Sequence, residues 1–228
     1  MYLESFATNV FVRKLAPDDI IISTNYDIVL DNALLEISNT NYGFRVRKPI
    51  FPVSYSDGTL RAGHSPLISI NQGKIKLLKI HGSLNWLYCP RCNEVDVTLA
   101  EKGISYLGKE YRLLCSNTNC TSEYEPLIVT PTRFKMYENR ILREIWAMAR
   151  ELISKAEEIV FIGYSLPEAD TELKCLLLYG LNEAVQKPKI TFVDQPEGSK
   201  DIESYKKLFG TVQYLPVGFV EYVNRMLP

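Results

Sequence analysis

An α/β fold is what this sequence predicts: a parallel sheet with helices on both faces, plus one small cysteine-rich insert. Three observations carry that expectation. Short runs rich in Ile and Val alternate with longer runs of helical periodicity. Apolar residues make up 46% of the 228, enough to bury a core in one domain or one domain with an insert. Four of the five cysteines fall in two close pairs inside one segment that interrupts the alternation.

Taken in order, the first 19 residues, "MYLESFATNVFVRKLAPDD", read as an amphipathic helix ending before Pro17. A β-branched strand follows at 20–23, then the helical run "YDIVLDNALLEIS". Residues 39–74 carry Gly, Pro, Ser and Asn at close intervals, in "NYGFRVRKP", "SYSDGTLRAGHSP" and "NQGK", and predict a looped excursion with short strands. Strands resume at 75–80 and 127–130, followed by a long helix over "YENRILREIWAMARELISKA". Strands at 158–163, 189–193 and 211–215 then alternate with helices over "DTELKCLLLYGLNEAV", "DIESYKKLF" and "VGFVEYVNRML". Cys175, in the apolar run "TELKCLLLYGL", is expected to be a buried core thiol. The resulting organisation is one α/β domain over 1–86 and 127–228, with 87–126 as the insert.

Lysine plus arginine nearly balance aspartate plus glutamate, for a net charge of −1, so the field that attracts nucleic acid is missing. No run reaches the roughly 18 apolar residues of a membrane span, and the start lacks a basic end followed by an apolar block. These features, with cysteines that do not form a secreted disulfide framework, predict a cytoplasmic protein without membrane or nucleic-acid partners.

"CPRC" and "CSNTNC" place Cys89 with Cys92 and Cys115 with Cys120, the pairs separated by 22 residues. Each short-spaced pair can occupy two corners of a tetrahedron around zinc. Four sulfur ligands leave no position for water, so the expected zinc is structural and its ribbon folds with the metal. The alternative is a pair of unmetallated thiol turns, and the four-residue spacer before Cys120 is wider than the commonest knuckle. "VDVTLAEKGISYLGKEYRLL" between the pairs predicts a small hairpin.

In parallel sheets ligands bind at the carboxyl ends of strands. The strand at 20–23 leads to Ser23, Thr24, Asn25 and Asp27, and the one at 75–80 to His81, Gly82 and Ser83. The strand at 158–163 leads to Gly163, Tyr164 and Ser165, and "ITFVDQP" ends in Asp194, where a carboxylate can bind ribose hydroxyls. "TNYD", then "IHGS", the four cysteines and "IGYSL", in that order, resemble the sirtuin superfamily of NAD-dependent deacylases and NAD hydrolases. "TNYD" and "GYSLPEAD" resemble its prokaryotic branch, and the likeness covers about residues 18–200.

The resemblance implies a sirtuin-like Rossmann domain with a zinc-ribbon insert. It also implies NAD as cofactor and substrate, and NAD hydrolysis or protein-lysine deacylation as the activity. Asn25 would orient water or the nicotinamide ribose, Asp27 would hold the carboxamide, and His81 would be the general base. Thr24, Gly163, Tyr164, Ser165 and Asp194 would complete the NAD site. The residue types suit the chemistry: cleaving the nicotinamide bond develops oxocarbenium character, and an imidazole of ordinary pKa, about 6.5, accepts protons at neutral pH. His64, in the excursion, has no such setting.

Plainer readings stand beside these. Asn25 or Asp27 can cap the following helix, Ser165 with Glu168 fits a capping box, and His81 can be a satisfied structural histidine. Asp170 reads as a helix-start residue, and Trp86, Tyr88 and Trp146 as packing. One departure from the family is clear: its glycine-rich phosphate loop is missing, since the closest glycines here are five residues apart, as at Gly58 and Gly63. Three readings of that departure remain open: a longer polypeptide, a sheet that closes over the gap, or a second chain that fills it. A non-catalytic interaction module that keeps the fold and zinc is the alternative function. An acyl-lysine protein, another protein partner or a second copy are the further expected partners.

Overall fold

Ile and Val runs become short strands and the periodic stretches become helices, because β-branched side chains suit a pleated sheet and an apolar stripe at helical spacing buries one face. The computed structural model describes residues 2–37, 40–47, 49–54, 59–64, 73–99, 102–107, 112–129, 139–197 and 201–226. In chain order the first elements are α1 (Tyr2–Lys14), β1 (Ile20–Ser23), α2 (Val29–Ile37), β2 (Pro49–Ser54), β3 (Thr59–His64), β4 (Lys76–Lys79), β5 (Gly82–Cys89) and β6 (Glu94–Thr98). A 3-10 turn, β7 (Arg112–Leu114), β8 (Glu125–Ile128), α3 (Arg140–Lys155), β9 (Glu158–Ile162) and α4 (Thr171–Glu183) follow. The chain closes with β10 (Lys189–Asp194), α5 (Ile202–Phe209), β11 (Gln213–Pro216) and α6 (Phe219–Arg225). Two compact units result, Leu15–Ile145 and a second made of Met1–Lys14 with Trp146–Pro228.

In the unit Leu15–Ile145, β1 and β4 form a parallel pair with Ile21 opposite Leu77 and Ser23 opposite Lys79. A six-stranded mixed sheet runs β7-β3-β2-β6-β5-β8. Among the described residues the strands of the hairpin predicted between the cysteine pairs do not pair with each other: β6 pairs with β5 and β2, and β7 pairs with β3. The strands of the excursion supply those partners, so pairing is set by long-range contacts rather than by chain proximity. Residues 55–58 and 65–72 of the excursion, and 100–101 and 108–111 of the expected hairpin, lie outside the described residues. Trp86 is fully buried and meets Tyr42 and Phe44 edge-on, the packing role its sequence context predicts.

In the other unit, β9, β10 and β11 form a parallel sheet with β10 central. Tyr205 of α5 stacks on Phe192 at 4.3 Å between ring centroids, and Phe161 meets Tyr205 edge-on. Phe11 of α1 packs edge-on against Phe219 of α6, and Lys14 Nζ donates to the Met226 carbonyl at 2.6 Å. Cys175 corrects the sequence reading, because it is exposed. The buried stripe of α4 is Leu173, Leu176, Leu177 and Gly180, which turns Cys175 and Tyr179 outward.

Candidate functional site

The register of β1 and β4 decides which residues stand at their carboxyl ends. Ser23 lies opposite Lys79, so Asn25 and His81 each stand two residues beyond the paired ends of adjacent parallel strands. The loops that carry them interlock: Leu84 N–H donates to the Tyr26 carbonyl at 2.9 Å, and Val129 N–H to the His81 carbonyl at 2.9 Å. The Tyr26 hydroxyl donates to the Val129 carbonyl at 3.1 Å, and its ring centroid lies 6.2 Å from that of His81. Asn25 and Asp27 are exposed, Thr24 is half-buried, and His81 is 4% exposed. Asn25 N–H donates to Ser23 Oγ at 3.1 Å, and the Asp27 carboxylate accepts from Val29 N–H at 3.0 Å, so Asp27 also closes the first turn of α2. Gly82 is required here: its φ is +86°, and a Cβ would lie 1.9 Å from the Leu127 carbonyl oxygen.

Beneath this loop lies a polar network that motif reading missed. Lys79, 1% exposed, places Nζ 2.9 Å from Asp31 Oδ2 and donates to the carbonyls of Tyr26, at 3.5 Å, and Asp27. Asp31 Oδ1 accepts from the Tyr42 hydroxyl at 2.5 Å and from Asn85 Nδ2 at 3.3 Å. Burial and the charge of Asp31 push the Tyr42 hydroxyl pKa well above its ordinary value, so it stays a donor. A buried charge must be paired and hydrogen-bonded, and this one is spent on holding the "TNYD" backbone. The only sequence signal was a charge inside each of two apolar runs, "KLLKI" and "VLDNALL".

The other sequence-predicted residues belong to the other unit. Ile162 of β9 lies opposite Val193 of β10, which brings Gly163 and Asp194 to the same carboxyl edge. Gly163 N–H donates to the Val193 carbonyl at 3.0 Å; its φ is +62°, and a Cβ there would meet nothing within 4 Å. The Tyr164 hydroxyl donates to Asp170 at 2.6 Å, and its carbonyl accepts from the Tyr205 hydroxyl. Burial, then the bond to Asp170, raises the Tyr164 pKa. Ser165 is exposed and does not cap the helix: α4 begins at Thr171, and Asp170 accepts from Leu173 N–H at 3.4 Å. Leu166, directly before Pro167, is buried with φ at +53°, a left-handed strain for a branched side chain. Asp194 accepts from Gln195 N–H at 2.8 Å. Next to it, Gln195, Glu197, Gly218, Phe219 and Asn224 line an open cleft of about 650 Å³, which no motif announced.

The four cysteines of the "CPRC" and "CSNTNC" pairs converge. Their sulfurs all lie within 4.8 Å of one another, Cys89 to Cys120 at 3.7 Å and Cys92 to Cys115 at 3.8 Å. A tetrahedron with zinc–sulfur bonds of about 2.3 Å has edges of about 3.8 Å, so the donor set fits zinc. Asn93, at φ +58°, turns the first pair, with its N–H on the Cys89 carbonyl at 2.8 Å. Asn117 turns the wider second pair: its carbonyl accepts from Cys120 N–H at 2.9 Å. Burial pushes the Cys89 thiol up to about 12, so it is neutral unless a cation lies among the four sulfurs and favours the thiolate.

Comparison with known proteins agrees with this architecture. A family model described as a SIR2-like domain matches residues 19–212. A solved structure of a Sir2 mutant with a p53 peptide and NAD is similar at a TM-score of 0.50 and 18% identity, over 96% of this chain and 68% of that one. Another, described as the structural basis for sirtuin substrate affinity, has a TM-score of 0.40 and 21% identity, over 68% of this chain and 57% of that one. Likeness at such identity speaks to the fold alone, and only the first is close enough to carry that. Among curated proteins nothing matches. No helix among the described residues is long and apolar enough to cross a membrane. With the family model spanning residues 19–212, most of its length, the chain belongs to the SIR2-like domain family.

Proposed function

We propose that this chain binds NAD and cleaves its nicotinamide–ribose bond, with water as the acceptor in preference to an acyl-lysine side chain. One observation supports this most: Asn25 and His81 stand at equivalent positions past the ends of two adjacent parallel strands, in loops tied to each other. In this reading the carbon–nitrogen bond breaks with its electron pair leaving on nicotinamide, and positive charge develops on the ribose. Water, oriented by Asn25, adds to that carbon and gives its proton to His81. Asp27 holds the carboxamide and Thr24 lines the same edge. Gly163, Tyr164, Ser165 and Asp194, in the other unit, are the residues that the family resemblance assigns to the phosphates and the adenosine ribose, Asp194 through the ribose hydroxyls. Zinc on Cys89, Cys92, Cys115 and Cys120 is structural, and the reduced cysteines suit a cytoplasmic setting.

Nicotinamide release from NAD, measured with and without an acetyl-lysine peptide, tests the proposal. Release without peptide is expected, falling on the order of 100-fold or more in His81→Ala and Asn25→Ala. Release that requires peptide would establish deacylation, and no release under either condition would sink both chemistries. A non-catalytic module is favoured by a different observation, the Asp27 carboxylate already committed to α2 and the imidazole 4% exposed. That reading expects no thermal shift on adding NAD.

A further inference from the structure

Arg47 lies outside every motif, yet its side chain reaches the cysteine centre. Its Nε donates to Asp96 Oδ1 at 3.1 Å and its Nη2 to Asp96 Oδ2, a two-pronged grip on a carboxylate that is fully buried. The same Nη2 lies 3.3 Å from Cys115 Sγ and 3.1 Å from the Tyr124 hydroxyl. Asp96 also accepts from Ser116 Oγ at 2.7 Å and from the Tyr124 hydroxyl, and Ser116 N–H donates to that hydroxyl at 2.9 Å. Every one of these groups flanks Cys115 or fixes a group that does. Glu94 adds a carboxylate 3.4 Å from Arg47 Nε, and the Arg47 backbone N–H donates to the Val95 carbonyl at 3.1 Å.

A dication held by four thiolates carries two net negative charges, and a cation bonded to one ligand sulfur offsets part of that charge. Only a planar guanidinium can hold Asp96 with two parallel bonds and still present an N–H to sulfur; an ammonium is a single point charge. Groups that orient metal ligands from outside the coordination shell commonly change affinity on the order of 10- to 100-fold when removed.

We propose that Arg47 is a positioning residue of the cysteine centre: its guanidinium bridges buried Asp96 and the Cys115 sulfur, slows metal loss, and ties the segment entering β2 to the metal. This rests on the reading of the four cysteines as a zinc site. The test uses the full chain purified with zinc, as wild type, Arg47→Met and Arg47→Lys. Zinc release to a chromogenic chelator and the sulfur-to-metal charge-transfer bands of the cobalt-substituted proteins are both recorded. Wild type is expected to hold one zinc per chain. Arg47→Met should release it on the order of 10- to 100-fold faster with shifted cobalt bands, and Arg47→Lys should fall between. Unchanged release and unchanged bands in Arg47→Met would overturn the bridge while leaving the zinc site standing, whereas a wild type without metal would overturn both. Should Arg47→Met fail to fold, Arg47→Lys decides: behaviour identical to wild type means that the fork does not matter.

Discussion

Lys79 and Asp31 are both almost fully buried, and their pairing supports the loop that carries Asn25 and Asp27. Removing one partner of a buried pair leaves an uncompensated charge, which costs about 3–5 kcal/mol, more than the pair itself contributes. Lys79→Met is therefore expected to destabilise the chain by that amount in urea unfolding, and adding Asp31→Leu should recover part of it. A double-variant loss equal to the sum of the separate Lys79→Met and Asp31→Leu losses would show that the two charges are not coupled. Gly82→Ala tests the same loop from the backbone side. The positive φ and the 1.9 Å approach to the Leu127 carbonyl predict a loss of at least about 2 kcal/mol, read from the same unfolding curves.

At the scale of elements, α3 and α4 cross closely because Gly180 has no side chain. A Cβ there would lie 2.6 Å from Ile153 Cγ2 and 3.1 Å from the Arg150 carbonyl oxygen. In a helix interior Gly→Ala normally stabilises by about 0.5–1 kcal/mol. Overpacking costs about 1–3 kcal/mol and should win, so Gly180→Ala is expected to lower the melting temperature, with a smaller effect in an Ile153→Ala background. The cysteine cluster acts on elements too. Since β6 pairs with β2 and β7 with β3, chelating the proposed zinc should remove hydrogen-exchange protection from β2 and β3 as well as from β5 and β6. Protection lost in β5 and β6 alone would mean that the excursion holds without the metal.

For the whole molecule, three tyrosines, Tyr42 and Tyr205 buried and Tyr164 half-buried, give a titration signature. Burial is the largest cause that raises the pKa of Tyr42, Tyr164 and Tyr205, with Asp31, Asp170 and Asp201 respectively adding to it. A raised folded pKa means that the unfolded chain, whose tyrosines titrate near about 10, loses protons first. Their contribution to stability is complete below about pH 10 and is lost as pH rises through the folded values. Ultraviolet titration of the fourteen tyrosines is expected to leave at least these three protonated until the fold opens, and all fourteen ionising together in the native state would contradict it. Much of the architecture was legible beforehand. Periodicity marked the strands ending at Ser23 and Asp194, short spacing marked the cysteine pairs, and Asp170 was readable as a helix start, because each is written in neighbouring residues. Cys175 was misread because the apolar run around it did not say which face of α4 turns inward. The contacts between Lys79 and Asp31, 48 positions apart, and between Arg47 and Cys115, 68 apart, carry no local signature. By itself, then, the sequence determined most helices, the parallel strands that alternate with them and the pairing of the cysteines along the chain, since local backbone preference and side-chain spacing suffice for those, but not the strand Gly82–Cys89. Only the tertiary structure decided which strands pair and which buried charges meet, because both depend on burial shared by residues that the chain keeps far apart.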